Sequence, residues 1–334
     1  MKKTVFILIS ILLILSCRKE DDTTFDGPDL NDLFGPFSII KDVEINKNLV
    51  DFPVDNKLYF NGELSKNTKW NISIVGANTG AKRFISGTDR IISIDNSSWD
   101  GGANSFPGFG LEKAYIEINF PDEDGTPVLY DTVTISGIKV DNGYLITSFE
   151  NGEGANWSKF NQTTVAGAID CGSGESAKGN CHYSWNGNVP WDWAIGSVMI
   201  QPNASSNFGL PASASNLFFN MAFKPIENIG EGNAFIQFWF DEDENGDGTF
   251  DEATEDRFIY EYWYTDTGWN LVSFKYSDIQ FDADGNQVST NGNGLPEPAK
   301  LASINVFYLA NKANGNSKAF VDHLIFTTNT PYTP

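Results

Sequence analysis

Apolar residues in this chain recur at alternate positions in short runs, and clusters of Gly, Asn, Asp and Pro separate one run from the next. Alternation of that kind puts successive side chains on opposite faces of a strand. Between 37 and 138 the runs include Trp70-Asn-Ile-Ser-Ile-Val, Arg90-Ile-Ile-Ser-Ile, Ala114-Tyr-Ile-Glu-Ile-Asn-Phe and Asp131-Thr-Val-Thr-Ile. From 144 to 330 they include Asn216-Leu-Phe-Phe-Asn-Met-Ala-Phe, Ala234-Phe-Ile-Gln-Phe-Trp-Phe, Arg257-Phe-Ile-Tyr-Glu-Tyr-Trp-Tyr and Ser303-Ile-Asn-Val-Phe-Tyr-Leu. No run repeats with helical period. The pattern predicts an all-β chain in two parts.

The first part, 37–138, has the length and strand spacing of a β-sandwich of about 100 residues, and an immunoglobulin-like or PKD-like module fits it. The second, 144–330, suits a β-jelly roll, two sheets with one concave face. The start of the chain departs from this pattern. Lys2 and Lys3 precede an apolar stretch, 5–15, that is shorter than the ~20 residues of a membrane span and has the length of a signal-peptide core. Ser16 and Cys17 close it. A small residue followed by Cys at this point resembles a bacterial lipobox, which implies that 1–16 is removed and Cys17 is lipidated. The cluster Arg18-Lys-Glu-Asp-Asp22 resembles the export signal of surface lipoproteins and implies an outer-membrane protein exposed at the cell surface. Residues 17–36 are polar and acidic and read as a flexible tether.

Composition narrows the partners. A formal charge of -22 over 334 residues repels nucleic acid and anionic lipid. It also disfavours a strongly anionic polysaccharide unless calcium bridges the two, so neutral glycans are favoured. Apart from Cys17 the chain has Cys171 and Cys181, which bound a Gly- and Ser-rich stretch. In an exported protein they read as a disulfide, whose short loop contributes about 2–3 kcal/mol by chain entropy.

Tryptophan is concentrated in the second part. Sugar rings present axial C–H groups to aromatic faces, so exposed indoles make platforms for neutral glycans. The segment Trp185-Asn-Gly-Asn-Val-Pro-Trp191-Asp-Trp193 has loop composition. Trp185, Trp191 and Trp193 are candidate platforms there, with Asn186, Asn188 and Asp192 to bond sugar hydroxyls. Trp263 alternates with Ile259 and Glu261 opposite a Tyr-rich face and joins them as a candidate. Trp239 sits in a run apolar on both faces and reads as core.

The stretch 241–252 matches a twelve-residue calcium loop, with Asp241, Asp243, Asn245 and Glu252 at positions one, three, five and twelve and Gly246 at six. Asp247 adds a further hard oxygen donor. The loop follows a strand rather than a helix, and Gly248 stands where an EF-hand carries an apolar residue. A free-standing structural calcium loop is therefore expected rather than a paired EF-hand.

Three motifs in order, Phe149-Glu150-x-Gly152, Gly268-Trp269 and Phe320-Val-Asp322-His-Leu-Ile-Phe, resemble a carbohydrate-binding-module jelly roll over 144–328. The resemblance implies a second structural calcium between Glu150 and Asp322. Lipoprotein start, Ig-like spacer and binding jelly roll together resemble the surface glycan-binding proteins of Sus-like polysaccharide-uptake systems. That implies polysaccharide utilisation, with a TonB-dependent transporter complex as partner.

Catalytic signals are thin. The two His, His182 and His323, sit in no nucleophile constellation, and G-x-S-x-G, H-E-x-x-H and phosphate-loop motifs are absent. The expectation is a non-catalytic binder of a neutral glycan such as a β-glucan. The alternatives are a glycoside hydrolase or polysaccharide lyase on the same scaffold, with carboxylates paired across strands, and a calcium-stiffened surface adhesin.

Overall fold

A computed structural model describes residues 35–203, 205–227, 232–264, 267–280 and 291–334. The signal segment, Cys17 and all but the end of the tether lie outside these residues. Within them the chain is all-β, relieved by one helical turn, Phe52–Asp55, and short 3-10 turns. No described helix is long and apolar enough to cross a membrane.

The first part contains β1 (Ile39–Ile45), β2 (Leu49–Asp51), β3 (Phe60–Gly76), β4 (Lys82–Ile92), β5 (Lys113–Asn119) and β6 (Leu129–Gly137). They form one sheet in the order β1-β3-β5-β6-β2, with β4 also on β3 and β2 running parallel to β6. The 17-residue β3 is its spine: Phe60, Leu64, Trp70, Ile72 and Ile74 recur with period two and are fully buried. Its first half pairs with β1 and its second half with β5, so the sheet wraps around its own core. Gly87 pairs with Trp70 across the β3–β4 ladder, and any β-carbon there would enter the space of the indole. Glycine at 87 is what lets Trp70 lie over β4.

The second part contains β7 (Tyr144–Thr147), β8 (Ser158–Asn161), β9 (Val165–Cys171), β10 (Cys181–Asn188), β11 (Ala194–Ile200) and β12 (Leu217–Glu227). It continues through β13 (Ala234–Glu242), β14 (Arg257–Trp263), β15 (Asn270–Lys275), β16 (Leu301–Ala310) and β17 (Asn316–Thr328). Two sheets result, β15-β12-β17-β10-β9 with β7 on β17, and β14-β13-β16-β11-β8. They pack face to face: Phe219 of the first touches Phe238 and Phe240 of the second at ring separations of 4.8 and 5.3 Å. Each such buried side chain contributes ~1.5–3 kcal/mol. Cys171 and Cys181 are directly opposed on β9 and β10 and form the expected disulfide.

The two parts meet at a small apolar junction. Phe106 of the first part packs with Ala177, Ala222, Ile325 and Tyr332 of the second. Gly108 N–H donates to Ala177 O at 3.0 Å, and Lys139, between the two parts, donates to Thr333 O at 3.4 Å. Asp141, just after β6, accepts from Lys178 and Tyr332 and lies 3.3 Å from His323 Nε2. Burial pushes the Asp141 carboxyl up, but His323 and the Lys178 ammonium outweigh it and hold the group below the ordinary carboxylate range.

Candidate functional site on an uncovered sheet face

Period two along β13 decides what the β14-β13-β16-β11-β8 sheet shows to solvent. Ala234, Ile236, Phe238 and Phe240 are fully buried between the sheets, so Phe235, Gln237, Trp239 and Asp241 point outward. Strand register then builds rows across the face. One row is Trp263, Phe235 and Leu309; the next is Glu261, Gln237, Phe307, Ser197 and Phe160. Then come Ile259, Trp239, Asn305, Met199 and Ser158, and last Arg257, Asp241 and Ser303.

The rings sit in two pairs. Trp263, 45% exposed, stacks on Phe235 at 4.3 Å and 24°. Trp239 lies over Phe307 at 4.4 Å and 39°, and Trp193 approaches Phe235 at 6.2 Å. Offset ring pairs of this kind hold each other flat. Between them runs a polar relay: Trp239 Nε1 donates to Gln237 Oε1 at 2.6 Å, and Gln237 Nε2 donates to Glu261 Oε1 at 2.7 Å. Asn305 Oδ1, beside Trp239, is buried and has no hydrogen-bond partner. A buried carbonyl oxygen left unpaired costs ~1–3 kcal/mol.

Beyond Trp239 the chemistry changes. The Arg257 guanidinium lies 4.6 Å from the Trp239 ring centre and 4.8 Å from that of Phe250. Its Nε is 2.5 Å from Asp241 Oδ1, and Nη1 is 3.2 Å from Glu252. Ser303 Oγ donates to Asp241 Oδ2 at 2.5 Å. The cation is thus neutralised where it stands. Asp241, Arg257 and Ser303 line a cavity of about 540 Å³ with Gln201, Pro202, Ser206, Thr249 and Phe250. A cavity of similar size at the junction of the two parts is lined by Lys139, Asn142, Tyr144 and Thr330, and the stacked ring pairs lie elsewhere.

No protein-family profile and no curated protein matches the chain. Solved structures do resemble it. A structure of promiscuous carbohydrate-binding modules from the β-sandwich superfamily aligns over 90% of this chain and 99% of its own, at 11% identity and a TM-score of 0.36. The protein SGBP-B, from a complex xyloglucan utilisation locus in Bacteroides uniformis, aligns over 88% of this chain and 73% of its own, at 12% identity and a TM-score of 0.35. The module TmCBM61 in complex with β-1,4-galactotriose covers 56% of this chain and 99% of its own, at 14% identity and a TM-score of 0.31. At scores this low the likenesses carry no weight of their own, and the site rests on the geometry above.

The structure separates the residues that the sequence grouped together. Trp185 is fully buried, packed against the tilted rings of Tyr183 and Tyr308 in the core, because β10 runs on through Asn188. The composition Asn-Gly-Asn reads as a loop, yet these residues continue the strand ladder with β9 and β17. Trp185 is therefore no platform. Alternation then sends Asn186 and Asn188 to the outer face of the opposite sheet, where Asn186 accepts from Asn316 at 3.0 Å. They cannot share a ligand with Trp263. Trp191 is 51% exposed in the loop before β11, and Asp192 shapes that loop by accepting the Trp193 N–H at 2.6 Å.

Trp239 is the residue that sequence reasoning missed. A run apolar on both faces was read as core, whereas one of its faces is core and the other is the outer face that carries the ring pairs. Gln237 in the middle of the run is the signal, since a buried amide in an all-apolar strand needs a polar side.

The acidic loop has a different register from the expected one. Asp241 belongs to β13 and pairs with Arg257, and Glu252 is drawn to the same Arg257. The loop closes instead on Asp243, whose carboxylate accepts the N–H of Gly246 at 2.7 Å and of Gly248 at 2.8 Å. Glu255 accepts from Asn245 and Asp251, while Asn245 and Asp247 accept the N–H groups two residues on. Glu150 and Asp322 grip the loop between the cysteines. Glu150 accepts from Asn180 and Cys181, and Asp322 from Ala177 and Lys178. Burial, with the Glu150 charge adding, pushes the Asp322 carboxyl up to about 8. Among the described residues no group of three or more His, Cys, Asp or Glu is arranged to hold a metal ion.

Proposed function

We propose that this chain binds a neutral polysaccharide on the outward face of the β14-β13-β16-β11-β8 sheet, without chemical conversion. The observation that carries the reading is the two ring pairs, stacked Trp263–Phe235 and tilted Trp239–Phe307, whose Phe235 and Trp239 stand four residues apart on β13, about 13 Å along the strand. Between them lies the Trp239–Gln237–Glu261 relay, whose carboxylate end offers a partner to hydroxyls. The one guanidinium on this part of the face is neutralised, which suits an uncharged ligand. Glu261 is tied to Gln237 and Asp241 to Arg257 and Ser303, so both carboxylates have structural duties.

Affinity gels containing barley β-glucan, xyloglucan, β-1,4-galactan or agarose test the reading. Retardation by at least one of them is expected, and a reducing-end assay on the same panel should find no turnover. Mobility unchanged in every gel, or release of new reducing ends, contradicts it. The same proposal places the protein on the outer membrane through Cys17, beside a transporter, where mass spectrometry of Cys17 for a lipid adduct is the check. Calcium enters as a stiffener: Asp243, Asn245 and Asp247 are hard oxygen donors of the type it takes, with Glu150 and Asp322 as a second candidate pair. The expected outcome is a melting temperature several degrees higher in calcium than in chelator.

A further inference from the structure

Resting on that reading of the platform, we infer that the bound glycan ends in this protein: the cavity beyond Trp239 takes a terminal, singly linked sugar ring, and the rest of the chain leaves over Trp263. The two ends of the platform are built differently. At one end Trp263 and Trp191 are about half exposed and offer flat rings across which an internal stretch of chain can lie. At the other, the last row of the face runs under two loops. One contributes Gly248, Thr249 and Phe250, the other Pro202, Ser205 and Ser206, and together they wall two sides of a half-open cavity of about 540 Å³. That volume falls within the roughly 300–1,000 Å³ of ordinary ligand pockets.

Both walls are fixed from behind. The Asp243 carboxylate holds Gly246 and Gly248, and Asn156 Nδ2 donates to Pro202 O at 2.9 Å and to Asn203 O at 3.3 Å. Phe250 closes over the Arg257 guanidinium, itself pinned to Asp241. The floor is polar and charge-neutral. Gln201 is half-buried, and among the described residues no hydrogen bond takes its side-chain amide; the same holds for the Thr249 hydroxyl. An internal ring has both neighbours bonded and must enter and leave, which suits the open end. A terminal ring carries an additional free hydroxyl and needs no exit, which suits a walled, polar recess with unspent donors and acceptors.

Titration calorimetry separates the possibilities. The affinity gels above first select among barley β-glucan, xyloglucan, β-1,4-galactan and agarose. Retention by none of them removes the platform reading itself, before the question of ends arises. The retained polymer is then titrated intact and after partial acid hydrolysis. The inference predicts that binding sites per gram rise in proportion to the number of chain ends. Where the polymer is branched, a branch tip is the same terminal chemistry: sites per gram then follow branch content and fall when an exo-glycosidase trims the branches. Sites per gram that change with neither ends nor branches overturn the inference while leaving the platform standing. Gln201→Ala and Thr249→Ala should each weaken binding of the hydrolysed fragments about five- to tenfold at unchanged melting temperature. Full affinity in both, with affinity lost in Trp263→Ala, places the ligand on the platform alone and also overturns it.

Discussion

The two outer faces of the second part both carry apolar and aromatic side chains and are treated in opposite ways. On the β15-β12-β17-β10-β9 sheet, His182, Phe320, Ala222 and Ile325 point away from the core yet are almost completely buried. The chain itself covers them. The disulfide-bounded loop brings Ala177, the first part brings Phe106, the C-terminal segment brings Tyr332, and Trp269 is clamped by an Nε1 bond to Glu175 O at 3.0 Å. On the other sheet Trp263, Trp239, Phe307 and Phe160 receive no such cover, and Trp263 and Phe160 stay exposed at 45% and 46%. An apolar face left open where its counterpart is covered is the kind of surface that marks an interaction site, and the proposed glycan site lies on it.

Substitutions can break this contrast, and the largest effect belongs to the interior shared by both faces. Trp185→Ala should cost about 3–5 kcal/mol of unfolding free energy in a denaturant titration, as for other buried Trp. A loss below about 1 kcal/mol would mean that Trp185 is not core. Phe106→Ala should follow at about 3 kcal/mol for a buried Phe. Because that ring closes the covered face, limited proteolysis should find the 172–180 loop newly accessible. Trp239→Ala probes the open face and should read the other way round. Stability falls by only about 1 kcal/mol for a half-buried ring, but glycan affinity falls ten- to thirtyfold, about 1.4–2 kcal/mol. Trp191→Ala is the smallest change: an exposed loop ring at the edge should cost no measurable stability and about threefold in affinity.

Much of this was legible beforehand, and the failures have identifiable causes. Alternation located the strands of both parts, since one-sided burial imposes period two on β3 and β5 alike. The disulfide was readable because two cysteines stand at a short spacing around a Gly- and Ser-rich stretch. Trp263 was placed on an exposed face correctly, by counting along its own strand. Trp185 was misplaced because turn-forming residues were taken as evidence of a loop, whereas in β10 Gly187 sits in the ladder where the Thr164–Val165 backbone leaves no room for a β-carbon. Trp239 was hidden by the reverse effect: a strand buried on one face and aromatic on the other gives no alternation in hydrophobicity. Asp241 was counted with the acidic turn because nothing in the sequence marks where β13 stops and the turn begins. Register in a sheet is a tertiary property, and the rows that assemble the platform exist only once β14, β13, β16 and β11 are paired.

The measurement that bears most directly on the central claim is a paired calorimetric titration of two double variants with the polysaccharide that retains the intact chain. Trp239→Ala/Trp263→Ala removes one ring from each stack on the open face. Asn186→Ala/Asn188→Ala alters the outer face of the opposite sheet. The predicted result is loss of detectable binding in the first and wild-type affinity in the second, with both proteins folded by circular dichroism. Wild-type affinity in the tryptophan variant, or loss confined to the asparagine variant, would contradict the assignment of the site.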